Sequence, residues 1–204
     1  MSRDLVGGSD NAITIANNAA FDGSTGSLSF WLRTTQTDYW TALVIRSSSS
    51  GSFRGINVYM GDPDFAGGAP GVVHFQYKGA SSEDWLVGST PVNTGQWVHV
   101  GVAFDRVAGN PIAMYINGVQ DASANVNNNW SFDGWDTQLG NGADSWWIPL
   151  TGQMAEFAWW NVKLTAAEFA ALGKGSAPSM VRPSALVEYL PLLRDNISYK
   201  RAAP

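Results

Sequence analysis

Gly95-Gln96-Trp97-Val98-His99-Val100-Gly101-Val102-Ala103-Phe104-Asp105 is the stretch on which the reading of this chain turns. Val98, Val100, Val102 and Phe104 alternate with Trp97, His99 and Ala103, the period of two that puts successive side chains on opposite faces of a strand. Downstream, Asn117-Gly118 separates Pro111–Asn117 from the run that starts at Val119. Both turn residues tolerate positive φ, which makes this dipeptide a strong hairpin signal. Upstream, Ser27–Arg33 alternates with Leu28, Phe30 and Leu32 on one face. Ala42–Arg46 and Gly55–Met60 read as strands divided by a Ser47–Gly51 turn. Val72–Lys78 follows the Gly- and Asp-rich loop 61–68, and Gln153–Asn161 is a further aromatic strand. Strands at this spacing without intervening helices specify an all-β chain, either a sandwich of two antiparallel sheets or a barrel.

Composition narrows the function classes. The 204 residues are 45% hydrophobic and 14% charged, enough apolar material for one sizeable core. A net charge of −5 argues against a nucleic-acid partner, which needs a basic face for phosphates. No apolar run approaches the ~20 residues that insert into a bilayer as a helix. With no cysteine, disulfides, thiolate metal sites and cysteine nucleophiles are excluded together. Met1-Ser2-Arg3-Asp4 leads into no hydrophobic signal core, which sets the expectation of a protein assembled inside a cell.

One helix is expected. Thr165-Ala166-Ala167-Glu168 is a capping box, Phe169 and Leu172 share an apolar face, and Gly173 offers a stop. Residues 173–183, rich in Gly, Ser and Pro, read as a connector. Leu186–Leu192 is a last apolar segment that either returns to the sandwich or docks on another protein, a second copy in a homo-oligomer included. The expected division is therefore a domain over 1–173 and a connector with docking segment over 174–204, with Leu186, Tyr189, Leu190 and Leu192 as assembly residues.

Five stretches in order carry a family resemblance: 27–32, 95–105, Met114–Val119, Leu139–Gly142, and Leu150–Asn161 running into Leu164–Glu168. Over roughly residues 10 to 173 the chain resembles the laminin-G-like branch of the concanavalin A-like lectin/glucanase superfamily. The resemblance implies a two-sheet antiparallel jelly-roll sandwich with one short C-terminal helix. It leaves function open, because that fold carries sugar binders, adhesion modules and glycosidases. Pro183–Leu192 is similar to an extension of such modules in bacteriophage and prophage structural proteins. That likeness implies a virion component, a capsid decoration or tail appendage assembled in host cytoplasm. Its partners would be capsid or tail proteins and cell-surface polysaccharide.

A glycosidase needs two carboxyls flanking the bond, ~5–5.5 Å apart or wider. Glu83, Glu156, Glu168 and Glu188 are the only glutamates and no two share a strand, so no enzyme is expected. His74 and His99 are the only histidines. His99 is expected to be a strand residue hydrogen-bonded near a sheet edge. No cofactor is required; calcium, which takes loop oxygens, is the one ion that fits, with Asp22, Asp133 and Asp144 as its ligands. Asp62 and Asp64 alternate around Pro63, in a loop. The densest mixture of rings and amides runs from Asn127 to Trp147. Indole faces suit the C–H side of a pyranose and amides suit its hydroxyls, while protein interfaces use the same residues. Trp130, Trp135, Asp136, Asn141 and Trp147 are accordingly the expected ligand-binding residues, for a glycan or a protein partner. Of the adjacent pair Trp146-Trp147, at least one ring should lie outside the core. The expected function is a non-enzymatic structural and adhesion module of a virion, with a free-standing extracellular lectin-like module as the alternative.

Overall fold

The alternating stretch forms a central strand, buried on both sides, and the remaining strands build two sheets around it. The architecture is that of a computed structural model, which describes residues 3–6, 12–48, 54–64, 68–79, 83–127, 129, 134–142 and 145–192. The strands are β1 (Arg3–Val6), β2 (Ile13–Ile15), β3 (Thr25–Arg33), β4 (Thr41–Ser47), β5 (Gly55–Met60), β6 (Val72–Lys78) and β7 (Glu83–Pro91). They continue with β8 (Val98–Asp105), β9 (Pro111–Ile116), β10 (Val119–Asn125), β11 (Thr137–Leu139), β12 (Thr151–Trp160) and β13 (Leu186–Leu190); one helix, α1, spans Ala166–Gly173. One sheet has seven strands in the order β1-β12-β3-β8-β9-β10, with β13 beside β12. The other has six, in the order β2-β11-β4-β5-β6-β7. All strand pairs are antiparallel. The chain is a two-layer sandwich, and a barrel is ruled out by the separate sheets.

Between the layers, Leu28, Phe30, Leu32, Val98, Val100, Val102 and Phe104 meet Val58, Met60, Val73 and Phe75 in the main core. Fully burying one such side chain contributes about 1.5–3 kcal/mol, which makes this layer the main source of stability. Asn117 and Gly118 adopt φ 51° and 77°, the doubly left-handed geometry of a tight hairpin turn. Thr165 accepts from the Glu168 amide while the Glu168 carboxylate accepts from the Thr165 amide, so the capping box is formed. The stop lies two residues beyond Gly173, at Gly175 with φ 92°, whose amide donates to the Leu172 carbonyl. Gly173 serves another purpose: a Cβ there would lie 2.6 Å from the Asn117 carbonyl carbon and 2.5 Å from the Gly118 nitrogen. Helix and hairpin thus pack backbone to backbone.

The helix seals the outer face of the seven-stranded sheet. Phe169 stacks on Tyr115 with centroids 4.3 Å apart, and Leu164, Leu172, Trp160 and Val181 complete a second apolar cluster. The Trp160 indole donates to the Val181 carbonyl at 2.7 Å, fixing the connector to the same face. His99 lies on this side of β8, and its placement corrects the expectation of a hydrogen-bonded edge residue. Its strand is central, and its buried ring makes no hydrogen bond through either nitrogen among the described residues. It packs edge-on to Trp31 at 5.4 Å.

The segment expected to dock elsewhere is also part of the sandwich. β13 pairs with β12 from Phe157↔Leu190 to Trp160↔Leu186, Leu190 and Leu192 enter the main core, and Leu186 and Tyr189 pack on the second cluster. The Tyr189 hydroxyl donates to the Glu156 carboxylate across this pairing. Residues 186–192 are therefore part of the sandwich, and residues 193–204 of the expected docking segment lie outside the described residues. No described helix is long and apolar enough to cross a membrane.

Candidate functional site

The six-stranded sheet has an outer face too, and there the strand period produces a different surface. On β5, Ile56, Val58 and Met60 point to the main core, which turns Asn57 and Tyr59 outward; on β6, Val73, Phe75 and Tyr77 point in and turn His74 and Gln76 outward. The register places Asn57 beside Gln76 and Gln76 beside Trp85 of β7, with Tyr59 beside His74 in the next row. Ala42, Ile45, Tyr59 and Trp147 form a small apolar cluster on this face, with Trp40 and Trp85 packed against it.

These residues enclose a cleft of about 220 Å3 lined by Trp40, Tyr59, Trp85, Trp146 and Trp147, with Asp62, Asp64, Gln76 and Glu83 as its polar members. Trp146 is 66% exposed at the rim while Trp147 is only 8% exposed, so the adjacent indoles do diverge, from a turn rather than from a strand. Trp40 is held at φ 52°, a backbone state costly for a bulky side chain and common where a site imposes it. Its carbonyl accepts from Ile148, which ties the Trp146-Trp147 turn against β4.

A polar ladder crosses the face. The Asn57 amide donates to Gln76 Oε1 at 2.6 Å, Gln76 Nε2 donates to Glu83 Oε1 at 2.6 Å, and Lys78 Nζ lies 2.8 Å from Glu83 Oε2. Beside it, the Tyr59 hydroxyl donates to Asp62 Oδ2 at 2.9 Å, and Asp62 Oδ1 accepts from the Asp64 amide at 3.0 Å. Burial, then the charge of Asp62, pushes the Tyr59 phenol well above its ordinary range. His74 stacks against Tyr59 with centroids 5.1 Å apart, and burial holds its imidazole below the usual range despite the pull of Asp62. Tyr59 thus presents a protonated phenol to the cleft, edged by carboxylates, with the His74 ring stacked against it. Both oxygens of Glu83 and both of Asp62 accept hydrogen bonds within the protein.

Of the ligand-binding residues expected from sequence, only Trp147 lines this cleft. Trp130 lies outside the described residues. Trp135 is half-exposed in a separate loop, where its carbonyl accepts from the buried Arg46. Asp136 is exposed and accepts from the Asn17 amide, and Asn141 is buried with Oδ1 accepting from Gly142. Asp133 and Asp144, the other calcium candidates, lie outside the described residues. Asp22 is paired with Arg46, whose guanidinium also bonds Asn17 Oδ1 and stacks 5.2 Å above the Phe21 ring. The carboxylate, amide and carbonyl oxygens gathered there are those of Asp22, Asn17 and Trp135, all accepting from the guanidinium. Among the described residues no group of three acidic or imidazole side chains could hold a metal ion.

A family model for the concanavalin A-like lectin/glucanases superfamily matches residues 7–170. The chain belongs to this superfamily. Among curated proteins none matches it. A candidate carbohydrate binding protein from Bacteroides ovatus superposes with a TM-score of 0.66 at 16% identity, covering 94% of this chain and 52% of that one. The superfamily member thus spans about half of that protein. The CBM40 of the Ruminococcus gnavus IT-sialidase, solved with α2,3 sialyllactose, gives 0.66 at 12% identity, covering 84% of this chain and 96% of that one. Domain 4 of the Geobacillus stearothermophilus arabinanase AbnA, solved with arabinotriose, gives 0.56 at 19% identity, covering 74% and 68%. At these identities the likeness is one of fold.

Proposed function

We propose that the chain is a non-catalytic, lectin-like carbohydrate-binding module, with its ligand seated in the cleft of the six-stranded sheet. The observation that carries this reading is the lining of the cleft: five aromatic rings converge with amide and carboxylate groups on one small concavity. Apolar ring faces bury the C–H surface of a sugar, and a few fixed polar groups orient its hydroxyls. At about 220 Å3 the cleft falls below the ~300–1,000 Å3 of drug-sized pockets, so it would enclose a single sugar unit and leave the rest of a glycan outside. Relatives of the same fold solved with saccharides support the reading without fixing a ligand for this chain.

Absence of catalysis is part of the proposal. Asp62 and Glu83, two of the three carboxylates that line the cleft, are engaged by Tyr59, Gln76 and Lys78. Glu156 and Glu168 serve Tyr189 and the helix cap. A virion role rests on the likeness of Pro183–Leu192, of which β13 pairs within the sandwich. Cell-surface polysaccharide is the partner class that a particle-borne and an extracellular module would share.

A glycan array with the unmodified chain and Trp146→Ala tests this directly. Binding to at least one saccharide class, lost in the variant while thermal stability is kept, is the expected result. No binding to any sugar at millimolar concentration would sink the reading, and release of reducing ends from a bound glycan would overturn its non-catalytic part.

A further inference from the structure

We propose that the sugar held in the cleft carries a free, positively charged amino group, so that the ligand class is the amino sugars rather than neutral or acidic ones. This inference rests on the carbohydrate reading and narrows it. It is carried by the charges that face the cleft from each wall. Asp62 and Asp64 come from the loop after β5, and Glu83 from β7. Lys78 of β6 neutralises Glu83 at 2.8 Å. Asp62 and Asp64 meet no cation among the described residues; Asp62 is bonded only to a phenol and an amide. His74, stacked behind Tyr59, is kept neutral by burial and supplies no balancing charge. Asp62, Asp64 and Glu83 line the same cleft, on which the two walls converge.

A neutral pyranose entering this space would take water from the exposed Asp64 and leave Asp62, only 5% exposed and bonded to neutral donors, with nothing of opposite charge. An ammonium would replace that water with charge-assisted hydrogen bonds. It would also lie among four indoles, whose faces attract cations. A uronate or sialate would meet repulsion from the same groups. Among the described residues these carboxylates form no group that could hold a metal ion.

Three tetrasaccharides separate the possibilities, with affinity read by calorimetry at two salt concentrations. They are a β-1,4-glucosamine tetramer with free amines, its fully N-acetylated form, and a galacturonate tetramer. The free-amine tetramer is expected to bind ~10-fold or more tighter than the acetylated one, the increment of one charge-assisted hydrogen bond, and the galacturonate not at all. Asp64→Asn should remove the preference, with an unchanged thermal unfolding transition showing that the variant is folded. Asp4→Asn, on the other sheet, should keep it; loss there instead would assign the preference to the chain's overall −5 charge and overturn the proposal. Equal or tighter binding of the acetylated or acidic tetramer overturns it with the carbohydrate reading intact. If none of the three binds and no neutral glycan does, the carbohydrate reading itself falls.

Discussion

The two outer faces of the sandwich start from the same material and end differently. On the seven-stranded sheet, Tyr115, Ala158 and Trp160 are covered by α1 and the connector, and Phe169 closes the stack. On the six-stranded sheet, Tyr59, Gln76 and Trp85 are approached only by loops, and Trp40, Trp146 and Trp147 frame a cleft instead of closing it. Aromatic residues are thus no guide to function by number. What distinguishes the faces is the polar chemistry between the rings: small and aliphatic on the sealed side, amide and carboxylate on the open side. A closed face spends its rings on stability and an open one keeps them for a ligand.

The largest expected effect belongs to the sealed face. Phe169→Ala should lower unfolding free energy by about 3–5 kcal/mol, read by chemical denaturation, because a fully buried ring leaves a cavity beneath the helix. Glycan affinity below the unfolding transition should not change. A loss under 1 kcal/mol would mean that the helix does not seal that face.

The two buried histidines make the next comparison. Burial pushes His99 down to about 4 from its ordinary 6.5, and His74 is lowered in the same direction with Asp62 opposing. A folded-state value below the unfolded one gives stability that is complete above about pH 6.5 and drains away as the pH falls toward 4. For His99 the ceiling is about 3 kcal/mol, from its shift of roughly two and a half units. Replacing His99 with Asn should flatten the dependence of stability on pH in this window, and replacing His74 should flatten it less. The reverse order would mean that the open face is the more deeply buried of the two.

The smallest stability effect is expected at the rim. Trp146→Ala should shift unfolding free energy by less than about 0.5 kcal/mol, as exposed positions do, while weakening glycan binding at least tenfold. A variant that lost stability and kept binding would place Trp146 in the scaffold and the ligand elsewhere.

Much of the scaffold was legible from local pattern. The alternation of Val98 to Phe104 gave a strand and its inner face, Asn117-Gly118 a hairpin, and Thr165 with Glu168 a helix start, because each signal is confined to neighbours in sequence. β7 was passed over: it opens on Glu83-Asp84 and closes on Gly88-Ser89-Thr90-Pro91, a turn-like composition that only an edge strand tolerates. β2 and β11, three residues each, carry too short a period to see. The cleft was missed for another reason. The density of Trp and Asn along residues 127–147 points to the site only through Trp147, with its unselected neighbour Trp146; the other members come from the loops before β4 and after β5 and from β5, β6 and β7. A signal was present: Asn57, Tyr59, His74 and Gln76 alternate with the core aliphatics on strands joined in succession, and successive strands usually pair. That pattern announces a polar second face. It does not say that loops will leave the face open.

The indole N–H signals of the tryptophans, followed by 1H–15N NMR while a binding oligosaccharide is titrated, test the central claim most directly. The open-face account predicts that Trp40, Trp85, Trp146 and Trp147 shift with one common affinity while Trp31, Trp159 and Trp160 stay in place. Shifts confined to Trp97 or Trp135, or saturation of binding with the cleft indoles unmoved, would contradict it.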